Sequence, residues 1–161
     1  MISTSLQTRV VRAFTLVEML VVVLILGILA AVAVPKFSNA SDGARTASIQ
    51  STVGGVRAGI AAFRTRAVIA GDNPFPTLVE LTTVGTVMQE KIASNPFLGL
   101  SGVQEVSLAQ ASARSVVGST AGWNYYVNNN ASPPIAIFYA NSDNPSTESD
   151  GNGGYLGINE L

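Results

Sequence analysis

Glu18 is the only charge in a run of 21 residues, Phe14 to Val34, of which eighteen are apolar. A carboxylate at mid-membrane costs about 2.5–3.5 kcal/mol on insertion scales, and less near an end. A charge in that position therefore marks a function and requires a partner, or it neutralises. A second set of oxygen donors lies near the end of the chain. Glu148, Asp150 and Asn152 alternate ahead of Gly153, as ligands do in the first half of a calcium loop. The match then stops, because Asn159 stands where a bidentate Glu closes such a loop and Glu rather than Asp opens it. A solvated acidic loop is the favoured reading, with calcium the one candidate ion and no other cofactor implied. Enzyme chemistry finds little else to use. The chain has no Cys and no His, which removes thiolate zinc sites, Cys nucleophiles, imidazole ligands and the Ser-His-Asp triad. Lys36 flanks the apolar run and Lys91 has no Ser-x-x-Lys around it. Gly151-Asn152-Gly153-Gly154 leaves no room for the strand–loop–helix unit that cradles phosphate.

The elements that would position Glu18 follow from composition. The chain has 161 residues, enough for one domain with an appendage. It is 47% hydrophobic and only 12% charged, against about 25% charged in an ordinary soluble domain. A formal net charge of −1 argues against a nucleic-acid partner, which calls for a basic patch. As a helix the apolar run would measure roughly 31 Å, enough to cross the hydrocarbon core. Arg9 and Arg12 precede it without any acid, while Asp42 lies between Lys36 and Arg45 beyond it. The positive-inside bias then places the N-terminus in the cytoplasm and residues 36–161 outside the inner membrane. A plain single-pass anchor satisfies these facts. So does a signal peptide cut after Ala31-Val32-Ala33. Neither explains Glu18.

A third reading does. Ala13-Phe14-Thr15-Leu16-Val17-Glu18-Met19, after a short basic leader and at the start of an apolar helix, resembles the processing motif of type IV pilins and type II secretion pseudopilins. The resemblance implies cleavage between Ala13 and Phe14 by a prepilin peptidase and N-methylation of the new Phe14 amine. It implies that the apolar helix is retained, first as membrane anchor and then as filament core. Gly27 and Pro35 sit where such helices carry helix-loosening, kinking residues. The family usually has Gly before the cut, and this chain has Ala13. Cleavage would create a charged amine four residues before Glu18. The two could pair within one helix, since i and i+4 share a face, or between neighbouring chains, where the contact would set axial register. The family implies the second; spacing alone leaves both open.

Beyond Pro35 the helix is expected to continue. Ile49, Val53, Val56, Ile60, Phe63, Ala67 and Ala70 recur at alternating spacings of 4 and 3, a narrow apolar stripe. Arg45, Arg57, Arg64 and Arg66 fall mostly off it, as a solvated basic face or a surface for subunit contact. Gly43, Gly54, Gly55 and Gly59 each weaken a helix by about 1 kcal/mol against Ala, so close packing or local unwinding is expected there. Gly71 is a plausible C-cap.

The rest reads as a small head. Thr77 and Glu80 form a capping-box pattern opening a short helix to about Val84, with another turn to Ile92 after Gly85. Val103–Ala109 and Ala113–Val117 are candidate strands. Trp123–Val127 and Ile135–Ala140 are stronger ones, expected as an antiparallel hairpin on the long helix. The fold class expected is α+β and pilin-like. It has a leader (1–13), a membrane or filament-core helix (14–34), its amphipathic continuation (35–70) packed on a small antiparallel sheet, and a head (71–161).

The expected function is that of a structural subunit and not an enzyme. Its partners would be copies of itself, the prepilin peptidase, membrane lipid before assembly, an inner-membrane assembly machinery and other minor pilins or pseudopilins. The place would be the bacterial inner membrane, then a periplasmic or extracellular filament. The competing reading is a monomeric anchored or secreted extracytoplasmic binding protein that uses the head alone.

Overall fold

The computed structural model describes residues 14–161; the leader and Ala13 lie outside the described residues. The chain divides into a first unit ending at Asn39 and a second, Ala40–Leu161. Helix α1, Leu16–Ala70, runs through both and continues past Gly27 and Pro35.

In the first unit nothing among the described residues covers the helix. The large apolar side chains from Phe14 to Val34 are exposed, Leu16 at 81% and Ile28 at 60%. The segment is long and apolar enough to cross a membrane, and none of it is buried within the fold.

In the second unit the stripe does what its spacing predicts. Ile49, Val53, Val56, Ile60 and Ala67 are buried, with Thr46 beside them, while Ala70 is exposed. This face meets Trp123, Tyr125, Phe138 and Ala140 in one core, closed by Phe75, Leu81, Val87, Ile92 and Ile158. Strands β2 (Trp123–Asn128) and β3 (Ile135–Ala140) pair antiparallel, Trp123 opposite Ala140 and Tyr125 opposite Phe138. Pleat alternation sends these pairs to α1 and turns Tyr126, Ile137 and Tyr139 to the opposite face. There a second cluster forms around Tyr139 with Val106 and Ala111.

The sheet departs from expectation at its edge. β1 is short, Val103–Glu105, and pairs with β2 in parallel. The chain returns through helix α3, Leu108–Ser112, where a longer strand to Ala109 was expected. A capping box explains the switch: the Ser107 hydroxyl accepts from Gln110 N and the Gln110 side chain accepts from Ser107 N. Ala113–Val117 is not a strand either. The buried Asn141 takes over its backbone bonds, Oδ1 accepting from Val117 N at 2.7 Å and Nδ2 donating to Val117 O at 2.9 Å.

Helix α2, Leu78–Thr82, starts at Thr77 with both halves of the expected capping box formed. It stops at Thr82, and no further helical turn follows before Ile92. Gly85 adopts φ +91°, and its N–H donates to Met88 O. This turn delivers Val87 and Ile92 into the core, a spacing of five that a helix face would not allow.

Only one of the four glycines that follow Pro35 in α1 has a packing reason. A Cβ on Gly59 would meet Met88 Sδ at 2.8 Å, whereas Gly43, Gly54 and Gly55 face open space. The acidic C-terminal segment forms a further hairpin, β4 (Pro145–Ser149) with β5 (Tyr155–Gly157). It docks on α1, where Thr147 N donates to Thr46 Oγ1 and Gln50 Nε2 donates to Glu148 Oε1, both at 3.2 Å.

Tyr125 is fully buried and its hydroxyl donates to Pro76 O at 2.7 Å. Burial first, and the nearby Glu80 charge second, push its pKa well above the ordinary value. A raised acid pKa means that folding favours the neutral form. The contribution is therefore whole below the unfolded value of about 10 and is lost as pH rises above it. Melting curves of the full chain in detergent at pH 8 and pH 11 are expected to show a marked alkaline loss. Tyr125→Phe should be less stable by about 1 kcal/mol at pH 8 and should lose less between the two pH values.

Candidate functional site

The site is the start of α1. Thr15 caps it: the Glu18 N–H donates to Thr15 Oγ1 at 3.2 Å. Thr15-Leu16-Val17-Glu18 has the same Ser/Thr-x-x-Glu/Gln pattern as the capping boxes at Thr77 and Ser107, and it behaves differently from those two. At Thr77 and Ser107 the acidic or amide side chain folds back to the cap N–H. At Thr15 only the hydroxyl half forms, and among the described residues nothing is seen donating to the Glu18 carboxylate. The carboxylate is exposed on an exposed helix, beside an exposed Phe14. The helix N-terminus favours a negative charge there by about 0.3–1 kcal/mol, and the acceptor capacity stays available to a partner. The Thr15 cap follows from the same sequence rule that finds Thr77.

The exposed surface around Glu18 sets the energetic problem. Each large apolar side chain left in water forfeits about 1.5–3 kcal/mol relative to burial, and this unit exposes more than a dozen of them. Such a surface requires lipid or other helices. Since lipid is as apolar as the side chains, moving from lipid into a helix bundle is close to neutral in apolar burial.

The other predicted donors are not brought together into a comparable site. Glu148 accepts from Gln50. The Oδ1 of Asp150 accepts from Asn152 N at 2.7 Å and from Gly154 N at 2.9 Å, which holds this carboxyl below its usual range. Asp150 thus closes the tip of its own hairpin, with Asn152 exposed next to it. Among the described residues no group of three or more acidic side chains converges on one point.

The four arginines of α1 are exposed, as a solvated face requires, and each also contacts the head. Arg57 Nη2 donates to Phe138 O at 3.2 Å and to Leu161 O at 2.9 Å. The Arg45 and Arg64 guanidiniums lie over the rings of Phe97 and Phe75, at 5.7 and 4.9 Å. Arg66 reaches Thr86 O at 3.4 Å.

Comparison with known proteins falls on the same end of the chain. Residues 8–34 match the family model described as the prokaryotic N-terminal methylation motif. The chain is also similar to the type IV narrow pilus major component PilA5 of Thermus thermophilus, 42% identical over 50 residues. That alignment covers 31% of this chain and 43% of the relative, less than half of either. No solved structure gives a significant match to the chain.

Proposed function

We propose that this chain, a type IV pilin-family protein in its N-terminal segment, is a filament subunit whose assembly is carried by the helix beginning at Phe14. The observation that carries the reading is an apolar helix with no cover of its own, entered at Phe14 and bearing a single carboxylate four residues on. The precursor inserts with its N-terminus in the cytoplasm. A prepilin peptidase cuts between Ala13 and Phe14, the Phe14 amine is methylated, and the helix waits in the inner membrane. An assembly machinery then moves it from lipid into a bundle of like helices, joined by minor pilins. In that bundle the Glu18 carboxylate of one subunit meets the Phe14 amine of its neighbour, a charge pair that fixes register in an otherwise apolar seam. Gly27, with open space around it, and Pro35, lacking one backbone donor, are the points where the helix can bend during that transfer. The pilus component among its relatives favours a pilus-like filament over a type II secretion filament. The role is structural and involves no catalysis.

The test is the intact mass and N-terminal sequence of the native protein from its own membranes. The expected result is a chain beginning at methylated Phe14, cut despite Ala13 in place of the family's usual Gly. A chain beginning at Val34 would identify a secreted protein and remove the filament core. An uncut Met1 would leave a plain anchor.

A further inference from the structure

On the second unit, α1 and the sheet enclose a groove of about 350 Å³ lined by three arginines, Arg57, Arg64 and Arg114, and by no acidic residue. Its floor is apolar, from Phe75, Ile137 and Phe138. Among the described residues no acidic side chain pairs with the three guanidiniums. Arg57 donates to the Phe138 carbonyl and to an oxygen of the last residue, Leu161, Arg64 lies over Phe75, and Arg114 lies over Tyr139 at 5.4 Å. The Arg114 Nη1 is buried and has no hydrogen-bond partner, while its backbone is held at φ +50°, a strained value for a residue with a side chain. Burial, and then the charge of Arg114, lower the pKa of Arg57, as expected of like charges brought together. An unsatisfied buried donor is costly, most of all on a charged group, and guanidinium forks match a carboxylate.

We propose that this groove is a carboxylate site that receives the Asp150 hairpin tip of a second copy of the chain. The charge distribution names the occupant. From Ser115 onward the sequence has no Lys or Arg, and its four charges are Asp143, Glu148, Asp150 and Glu160. Asp150 is presented at the hairpin tip with both of its backbone bonds on Oδ1, so Oδ2 keeps its acceptor capacity. The apposition of a basic groove to an acidic tip joins two different patches. Such a contact is heterologous and propagates from copy to copy, giving open helical arrays unless it closes into a ring. The inference rests on the filament reading and adds a contact between heads to the one between helices.

The chain contains no Cys, so introduced thiols are unambiguous. Ala61→Cys, on the groove wall, and Asn152→Cys, beside Asp150, leave the charged groups in place. The two variants are expressed together, filaments are sheared off, and a short bismaleimide is added. The expected product is a mixed dimer that neither variant gives alone. Arg64→Glu in the Ala61→Cys chain should reduce it about tenfold through like-charge repulsion, and Asp150→Arg in the Asn152→Cys chain should restore it. Absence of the dimer from assembled filaments overturns the proposal, as does a yield indifferent to Arg64→Glu. If the unsubstituted chain makes no filaments, the filament reading fails separately. The membrane fraction then decides this contact by the same dimer, and its absence there is equally fatal.

Discussion

Glu18→Ala is expected to insert into the membrane and to yield a mature chain beginning at methylated Phe14, yet to leave almost no filaments in the sheared fraction. The argument is one of differential burial. In lipid the Phe14 amine and Glu18 lie near the start of α1, close to the interface, where a charge is inexpensive. In a bundle the amine is enclosed, and removing its carboxylate leaves an uncompensated buried charge. Breaking a buried pair in this way costs about 3–5 kcal/mol, and each 1.4 kcal/mol is about tenfold in association. A fall of more than about a hundredfold in subunit association follows from those two figures. Thr15→Ala is the control. It removes the cap seen in the structure and costs helix stability of about 1 kcal/mol, without touching the charge pair, so filaments should persist. Normal filaments from a fully processed Glu18→Ala chain would rule out the pairing and return the register to helix packing alone.

Trp123→Ala is expected to have the largest effect on stability. Trp123 is fully buried, stacks on Phe138 with ring centroids 5.5 Å apart, and donates from Nε1 to Ala93 O at 2.9 Å. It touches strand, loop and helix at once. Truncating a buried aromatic to Ala costs about 3–5 kcal/mol, a large share of the roughly 5–15 kcal/mol that holds a domain together. Limited proteolysis of the full chain in membranes should therefore find the head cleaved readily, with a sharply lowered melting temperature. The first unit shares none of this core, so insertion and the mature N-terminus should be those of the unsubstituted protein. Trp123→Phe keeps most of the volume and loses the indole donor, and it should be milder. A head that resists protease as well without the indole as with it would displace Trp123 from the centre of the core. The two variants separate the units: Glu18→Ala spares the head and abolishes assembly, while Trp123→Ala spares the anchor and dissolves the head.

Much of this was legible before any fold was known, for reasons that differ from segment to segment. The run from Phe14 to Val34 identifies itself because membrane affinity depends on composition and length, with no need of a partner. Glu18 stands out by the same measure. The stripe from Ile49 to Ala67 and the pair of strands at Trp123 and Ile135 follow from periods of 3.6 and 2, which any core must respect. Capping boxes act over three residues, so Thr77–Glu80 could be found directly, and Ser107–Gln110 and Thr15–Glu18 were available to the same rule.

The remainder depended on contacts between residues far apart in the chain. Residues 113–117 have β-branched character, but Asn141 satisfies their backbone from 24 positions away. Val87 and Ile92 follow no helical period because a turn at Gly85 carries them to α1. The four glycines of α1 beyond Pro35 look alike in sequence, and only the approach of Met88 sets Gly59 apart. The four arginines of α1 look alike in sequence, and only the fold gives Arg57 two oxygen acceptors and places Arg64 beside Arg114 in one groove. Thus the sequence by itself determined the helix that needs a membrane or a filament, the carboxylate on it, and the periodic faces of the core, because composition, local capping and periodicity act over a few residues. Only the tertiary structure decided the parallel edge strand, the partners of the arginines and the presentation of Asp150, because those depend on which distant backbone and side-chain groups the fold brings within hydrogen-bond reach.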